Sequence, residues 1–189
     1  MVQINFNQTI SDTEEGTILK YAMMKMPQIT DLNNSSFKLL KSYSKSQLKK
    51  MAIPIIESLK EHLTQIQQLG WTVYGFNKDS ITIIDQKIAI FSDPTILCQI
   101  NNDKKKTIMF IAPIQPTTFI DPIITNAKEL PYTVHINVIF YALAQLFVYC
   151  TYNTTDIQHI EKQIFGTKGY YFIHRCTCVP ISDRNIVWI

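Results

Sequence analysis

The sequence predicts a single α+β domain in which helix dominates. Its 189 residues can bury roughly 70 % of the unfolded surface in one core, and they are too few for two ordinary domains. Hydrophobic residues make up 46 % and charged residues 17 % of the chain, which excludes general disorder. Helical periodicity in the second quarter and the last third is separated by short β-forming runs.

The first 36 residues are predicted to form a small β ribbon and a connector, ahead of a compact unit over residues 37–189. Residues 2–6 and 17–26 are β-rich or alternate in polarity, and residues 12–16 between them have turn composition. Neither a repeat nor a Pro/Gly-rich linker divides the remainder of the sequence. We therefore expect one compact unit overall.

The clearest helix is predicted over residues 47–69. Ser44 and Gln47 have the spacing of a capping box, Pro54 predicts a kink, and Gly70 is placed to end the helix. The apolar positions at helical spacing are Leu48, Met51, Ala52, Ile55, Ile56, Leu59, Leu63 and Ile66.

Two strand pairs are predicted after this helix. The first has its polar turn between Ile84 and the apolar run that ends at Phe91. The second joins residues 96–100 to residues 107–111 through a tip that contains Lys104, Lys105 and Lys106. Contact of this lysine triplet with nucleic acid is the alternative, but the formal charge of +3 is scattered and forms no basic stripe. We therefore predict no nucleic-acid partner.

Residues 134–150 are apolar on almost every face, which predicts a helix surrounded by core. A membrane span is the competing interpretation. It would place His135, Asn137 and Gln145 in hydrocarbon, and the run is shorter than the ~20 residues that a bilayer requires. We expect no membrane association, and two further helices over residues 155–165 and 168–178.

The cysteines are predicted to be reduced, buried thiols of an intracellular protein, since they lie in apolar segments and no signal peptide is expected. They are Cys98, Cys150, Cys176 and Cys178. His174 lies close to the last two in sequence, but a C-x-C pair on a helix points its sulfurs about 200° apart. No metal or other cofactor is predicted.

The segment GWTVYGFNKDSITI resembles the catalytic loop of protein kinases, with every polar catalytic residue replaced. Gly75 stands at the aspartate base, Asn77 at the lysine and Ser80 at the metal-binding asparagine. The run KIAIFSD is similar to the strand before the D-F-G motif: Ser92, or the residue before it, takes the aspartate position, and Asp93 comes one or two residues late. The resemblance implies a degenerate C-terminal lobe over residues 37–189, similar to small kinase-like proteins of large DNA viruses.

Two later segments extend this resemblance. FIDPII is similar to the A-P-E boundary and keeps Pro122, with Asp121 in place of alanine and isoleucine in place of glutamate. FIHRCTCVPISDR is similar to the late-helix pattern that ends in Arg184. In the family this arginine pairs with the missing glutamate. We therefore expect Arg184 to pair with Asp121 or Glu129, or with backbone carbonyls of residues 119–131.

The resemblance implies a protein that is not an enzyme and does not bind ATP, because phosphoryl transfer requires two metal ligands, an aspartate and a Gly-rich loop. The expected function is a binding or scaffolding module, with a protein partner or self-association. A viral source is inferred from the resemblance and from the frequent Ile, Asn and Lys. We expect the partner surface at Trp71, Val73, Tyr74 and residues 17–26, where a kinase C-lobe would meet its other lobe.

Two alternatives stay open. One is a divergent enzyme, or a partial transferase site that a partner chain completes. The other is a structural subunit of a homo-oligomer. A paired-carboxylate site formed by Asp79 and Asp93 belongs to the first alternative.

Overall fold

A computed structural model of the protein describes residues 13–29, 34–101, 105–177 and 180–187. Within these ranges the chain is α+β and rich in helix, as predicted. The helices are α1 Glu14–Met24, α2 Lys45–Gln68, α3 Pro122–Thr125, α4 Ile139–Tyr152, α5 Ile157–Gln163 and α6 Lys168–Thr177. The strands are β1 Phe37–Leu39, β2 Trp71–Val73, β3 Gly75–Phe76, β4 Ile81–Ile84, β5 Ile88–Phe91, β6 Leu97–Gln99, β7 Thr107–Phe110, β8 Phe119–Ile120 and β9 Tyr132–His135.

Helix α2 has the boundaries that its local signals predict. The backbone N–H of Gln47 donates to Ser44 Oγ over 3.4 Å, and the Ser44 N–H donates to Gln47 Oε1 over 2.9 Å, so the capping box is confirmed. Gly70 follows the helix with φ +85°, a conformation that glycine adopts without strain. Pro54 lies inside the helix, and the kink expected there stays a prediction.

The N-terminal ribbon is a wrong prediction where the structure describes it. Residues 17–26 belong to helix α1 and the turn after it, and Thr13 Oγ1 caps the helix by accepting from Gly16 N. Leu19, Ala22, Met23 and Met26 are 0–1 % exposed. Their spacing of three and four residues is the period of a helix, and packing against α2 selects it over the strand alternative. Residues 2–6 lie outside the described ranges.

The β4–β5 hairpin is confirmed, whereas the second predicted hairpin is wrong. Strand β6 pairs with β2, and β7 pairs with β9, although Asn101 N does donate to Thr107 O over 2.8 Å. A strand's alternation shows which residues face the core but not which neighbour it pairs with. Lys105 and Lys106 are exposed as expected, and Lys104 lies outside the described residues.

Helix α4 is central, and it begins later than predicted. Val134 and His135 belong to β9, and residues 136–138 form a 3₁₀ turn before the helix starts at Ile139. The helix packs against α2, α5, α6 and β8, which confirms its expected position inside the core. Gln145 Oε1 accepts the backbone N–H of Ile120 over 2.8 Å, so its polar group has a partner in the interior.

Both C-terminal helices, α5 and α6, lie within their predicted ranges. In the described parts of the chain, no one helix combines the length and apolarity that a bilayer crossing requires. Residues 136–152 and 157–163 reach that threshold only as a pair, and they are bent by 62° to each other. Cys150 and Cys176 are buried and Cys98 is half-buried, while Cys178 lies outside the described residues. Burial raises the pKa of Cys98 and of Cys150 to about 12.

Candidate functional site

The turn between β3 and β4 meets the end of β5 in a small polar cluster. Ser80 Oγ donates to Asp93 Oδ2 over 3.1 Å, and the backbone N–H of Ser92 donates to the Ser80 carbonyl over 2.9 Å. Thr82 Oγ1 donates to Ser92 Oγ over 2.8 Å. The structure therefore brings Ser80, Ser92 and Asp93 together at one end of the β4–β5 hairpin.

Asn77 holds this loop to a distant part of the chain. Its Oδ1 atom accepts from the backbone N–H of Thr118 over 2.7 Å and from Thr118 Oγ1 over 2.9 Å. Its own backbone N–H donates to Ser80 Oγ over 3.3 Å. The amide oxygen thus has a structural task, which is to join the loop to the segment before β8.

Gly75 is packed too tightly to be replaced by a larger residue. It lies in β3, opposite Ile120 of β8. A Cβ atom built on this glycine would lie 2.7 Å from Thr117 Oγ1, closer than real Cβ atoms approach, and 3.0 Å from the Phe119 carbonyl oxygen, a tighter contact than most. An aspartate at this position would therefore require Thr117 and the neighbouring β8 backbone to shift.

The carboxylate of Asp93 is engaged by three donors. Besides Ser80, it accepts from the backbone N–H of Thr95 over 3.0 Å and from Thr95 Oγ1 over 2.6 Å. These bonds cap the 3₁₀ turn that follows it. Asp79 instead pairs with Lys41 over 3.0 Å at the exposed surface. Across the described ranges, no group of three or more His, Cys, Asp or Glu side chains is arranged to hold a metal ion.

The predicted partner surface differs from the one that the structure presents. Val73 is 0 % exposed, so its assignment as a contact residue is wrong. Trp71 is half-buried against the main core, and Tyr74 packs edge-to-face on Phe110 with ring centroids 5.4 Å apart. Burial raises the pKa of the Tyr74 hydroxyl above its ordinary value. This region is largely covered.

Helix α1 contains most of residues 17–26, the other part of the predicted partner surface. It packs against α2 and against the turn Pro94–Ile96, and it buries Met23 in a cluster with residues of the β4–β5 hairpin. Its outer face carries Tyr21 and Met24, which are 48 % and 59 % exposed. The helix therefore buries one face in the core and leaves two large apolar side chains in solvent.

The predicted link between the middle of the chain and its C-terminal part is confirmed. Arg184 Nη1 donates to Asp121 Oδ2 in an ion pair whose members are about 95 % buried. The other carboxylate oxygen accepts from Ile123 N over 2.9 Å and caps α3, which begins at Pro122. The Tyr141 ring lies 5.8 Å from the guanidinium carbon. Both charges thus have the partners that burial requires.

Sequence reasoning missed an apolar groove beside the β7–β9 ladder. The groove has a volume of about 450 Å³. Its apolar lining includes Phe110, Ile114, Ile120, Ile124, Leu130 and Tyr132. These residues come from segments up to 22 positions apart, and only the pairing of β7 with β9 brings them together. The prolines at positions 113 and 116, which predict an irregular loop, were the one available signal.

Comparison with known proteins leaves the chain without an assigned family. No protein-family model matches the sequence, and a search of curated proteins finds no significant match.

Proposed function

We propose that this protein is a non-catalytic, kinase-like C-terminal lobe that acts as a protein-binding or scaffolding module. One observation carries the proposal: the residues at the four catalytic-loop and metal positions serve the fold. Gly75 lies where an acidic side chain would displace its neighbours, Asn77 fastens a loop, and Ser80 and Ser92 bond to neighbouring polar groups. A phosphoryl-transfer site needs such positions free to face a nucleotide and its metal ions.

Two features of the fold support the kinase-like part of the proposal. The ends of the β4–β5 hairpin bring Ser80 close to Ser92 and Asp93, the segments that carry the metal-binding asparagine and aspartate in the family. The Arg184–Asp121 pair fastens the start of α3 to the C-terminal segment, at the place where the family has its arginine–glutamate link. The resemblance predicted the second of these contacts.

The binding role is supported by large apolar side chains that remain in solvent. Phe165 and Ile111 are 76 % and 75 % exposed, and Met24 is 59 % exposed. Apolar side chains that a partner protein covers on binding are exposed in the isolated chain. In this proposal the partner is a protein, and neither a nucleic acid nor a membrane. The site of action is intracellular: the host cytoplasm, a viral compartment or the virion if the source is a virus.

An enzyme completed by a second chain is the alternative that a specific observation favours. Asp93 is only half-buried, and a carboxylate beside a serine hydroxyl could bind a cation if a partner supplied further ligands. A self-assembled structural subunit is the third possibility, and it predicts a stable oligomer of the isolated chain.

A thermal-shift titration with ATP and Mg²⁺ tests the proposal. Ligand at 100 times its dissociation constant would raise the free energy of unfolding by about 2.7 kcal/mol, which corresponds to roughly 5–10 °C for a chain of this size. We expect no shift, with or without Mg²⁺, and none in Asp93→Asn. A shift in the wild type that Asp93→Asn abolishes would refute the non-catalytic assignment, and sedimentation equilibrium on the same sample tests the oligomer.

A further inference from the structure

Helices α5 and α6 carry a second groove, about 540 Å³ in volume, that is lined by aromatic rings. The Phe165 ring packs edge-to-face on Tyr170, with ring centroids 4.9 Å apart, and Tyr170 stacks on His174 over 5.6 Å. Beyond them, Glu161 Oε1 lies 3.2 Å from His174 Nδ1. This α5–α6 groove therefore presents a row of three rings with a carboxylate at one end.

The row of rings is open to solvent and has the chemistry of a site for proline-rich segments. Phe165 is 76 % exposed, and the His174 side chain is 57 % exposed. Aromatic-lined grooves bind proline-rich segments in the polyproline II conformation, which leaves its carbonyl groups free to accept hydrogen bonds. Gln158, Lys162 and Tyr170 line the groove and carry N–H or O–H donors for such carbonyls.

The chain itself contains a segment of this kind. Of its eight prolines, only Pro113 and Pro116 are three residues apart. Both are exposed, in a stretch where residues 113–117 form no helix, strand or turn. Ile114 between them is half-buried and packs against the cluster that contains Ile108 and Phe110. Since polyproline II has three residues per turn, the two prolines would share one side while Ile114 anchors another.

The dimensions of the segment and of the groove agree. At about 3.1 Å per residue, Pro113 and Pro116 would be roughly 9 Å apart in a polyproline II segment. The groove lining on α6 runs from Tyr170 to Thr177, which at about 1.5 Å per helical residue is roughly 10 Å. The two prolines of one copy could thus contact both ends of the groove of another.

The segment and the α5–α6 groove lie on different surfaces. Both prolines line the 450 Å³ groove beside the β7–β9 ladder, which has no described lining residue in common with the α5–α6 groove. A contact between two copies is therefore heterologous, and it leaves one groove and one segment free at the ends. A contact made by four residues is smaller than a stable interface, so the association should be weak and reversible.

The charges on the two surfaces are compatible with this contact. Glu161 and Lys162 line the α5–α6 groove. Lys128 lines the other groove together with the prolines, and Glu129, its neighbour in sequence, is exposed. Each surface carries one charge of each sign, so Lys128 of one copy can face Glu161 of the next without net repulsion.

We propose that residues 113–116 of one copy bind the α5–α6 groove of the next copy, so that the protein assembles weakly from head to tail. A second copy is the occupant that the molecule itself supplies, because the same chain exposes both the rings and the paired prolines. The inference rests on the scaffolding role proposed above and specifies that further copies of the chain are among its partners.

Sedimentation velocity of the full chain from about 10 μM to about 1 mM tests the assembly, because this range detects dissociation constants up to the millimolar level. The sedimentation coefficient of the wild type should rise with concentration. Phe165→Ser, and Pro113→Ala combined with Pro116→Ala, should each weaken the association at least about tenfold. Met24→Ser and Pro27→Ala replace exposed residues outside both surfaces and should associate like the wild type.

A 1:1 mixture of the groove variant and the proline variant gives the sharpest result. The Phe165 variant keeps its proline segment, and the double proline variant keeps its groove. One intact pair of surfaces remains, so the mixture should form a heterodimer and nothing larger, although neither variant associates alone.

A peptide measures the same contact without depending on the folding of the proline variant. The peptide IAPIQPTT, which corresponds to residues 111–118, should bind the wild type and reduce its association. It should bind Phe165→Ser at least about tenfold more weakly, and melting curves establish that this variant is folded.

The inference would be overturned by a wild type that stays monomeric at about 1 mM, by a groove or proline variant that associates like the wild type, or by a mixture that stays monomeric or grows beyond a dimer. In each of these cases the binding module would require a different partner surface. Binding of ATP with Mg²⁺ would instead refute the proposed function and leave the sedimentation results unaffected.

Discussion

Acid should destabilise this protein through His62, a histidine of α2 that is 0 % exposed. The backbone N–H of Phe91 donates to its Nδ1 atom over 3.1 Å, so this nitrogen must be unprotonated. Among the described residues, Nε2 has no partner with hydrogen-bond geometry, although the nearby Leu19 backbone favours the protonated ring. Burial outweighs that effect and lowers the pKa of His62 from 6.5 to about 4.

The size of this effect on the free energy of unfolding follows from the difference between the folded-state and unfolded-state pKa values. A difference of 1 in pKa corresponds to about 1.4 kcal/mol, so keeping His62 neutral contributes about 3 kcal/mol of stability in total. The folded state binds the proton more weakly than the unfolded state, whose histidine titrates near 6.5. The contribution is therefore complete above pH 6.5 and is lost as the pH falls from 6.5 toward 4. About 2 kcal/mol of it should disappear between pH 7 and pH 5.

Urea unfolding at pH 7, 6 and 5 measures this loss. His62→Asn is the informative variant, because the asparagine oxygen can accept from Phe91 N in place of Nδ1 and does not titrate. We expect it to be less stable at pH 7, where it leaves a void, and to lose about 2 kcal/mol less than the wild type between pH 7 and 5. His174→Gln, at an exposed histidine, controls for surface titration. Equal losses in the wild type and His62→Asn would refute the argument.

Three further predictions concern stability and can be measured by urea or thermal unfolding. Arg184→Ala should lower the free energy of unfolding by about 3–5 kcal/mol, because it leaves the Asp121 carboxylate buried and unpaired. Arg175→Ala, on the exposed face of α6, is the control. An unchanged melting temperature in Arg184→Ala would contradict the buried ion pair. Gly75→Asp should lower the free energy of unfolding by more than about 2 kcal/mol through the overlap with Thr117 and Phe119, and it should not create ATP binding. Gly169→Ala is the control, because it meets only ordinary contacts and should be neutral or stabilising. A well-folded Gly75→Asp would show that β8 can move. Ser44→Ala should lower the free energy of unfolding by about 1 kcal/mol, because it removes the cap of α2. Ser46→Ala, two residues later and exposed, should change the stability little. Equal effects of the two substitutions would argue against the capping box.

The features that could be predicted from the sequence depend on nearby residues. Ser44, Gln47 and Gly70 define α2 because caps act within four residues. The β4–β5 hairpin follows from a polar turn between two apolar runs, and Asp85 and Gln86 adopt the positive φ that such turns require. The Arg184–Asp121 pair came instead from a resemblance that placed an arginine opposite the start of α3.

The features that the sequence did not predict depend on distant residues. The apolar positions in residues 17–26 are compatible with the period of a strand or of a helix, and the packing of α1 on α2 decides between the two. Val73 is buried within the main hydrophobic core, which the short strand itself does not encode. The pairing of β7 with β9 crosses more than twenty residues, so the alternation in residues 107–111 could not identify its partner. The groove depends on that pairing, and so it was missed.

The ion pair that joins Asp121 to Arg184 also sets an order of events during synthesis. The two residues are 63 positions apart. At 5–20 residues per second, the arginine leaves the ribosome roughly 3–13 seconds after the aspartate. Until then the Asp121 carboxylate has no guanidinium partner, and the start of α3 cannot be buried at low cost. The segment around α3 therefore cannot close fully before Arg184 has emerged, and the nascent chain exposes it to chaperones and proteases for that interval.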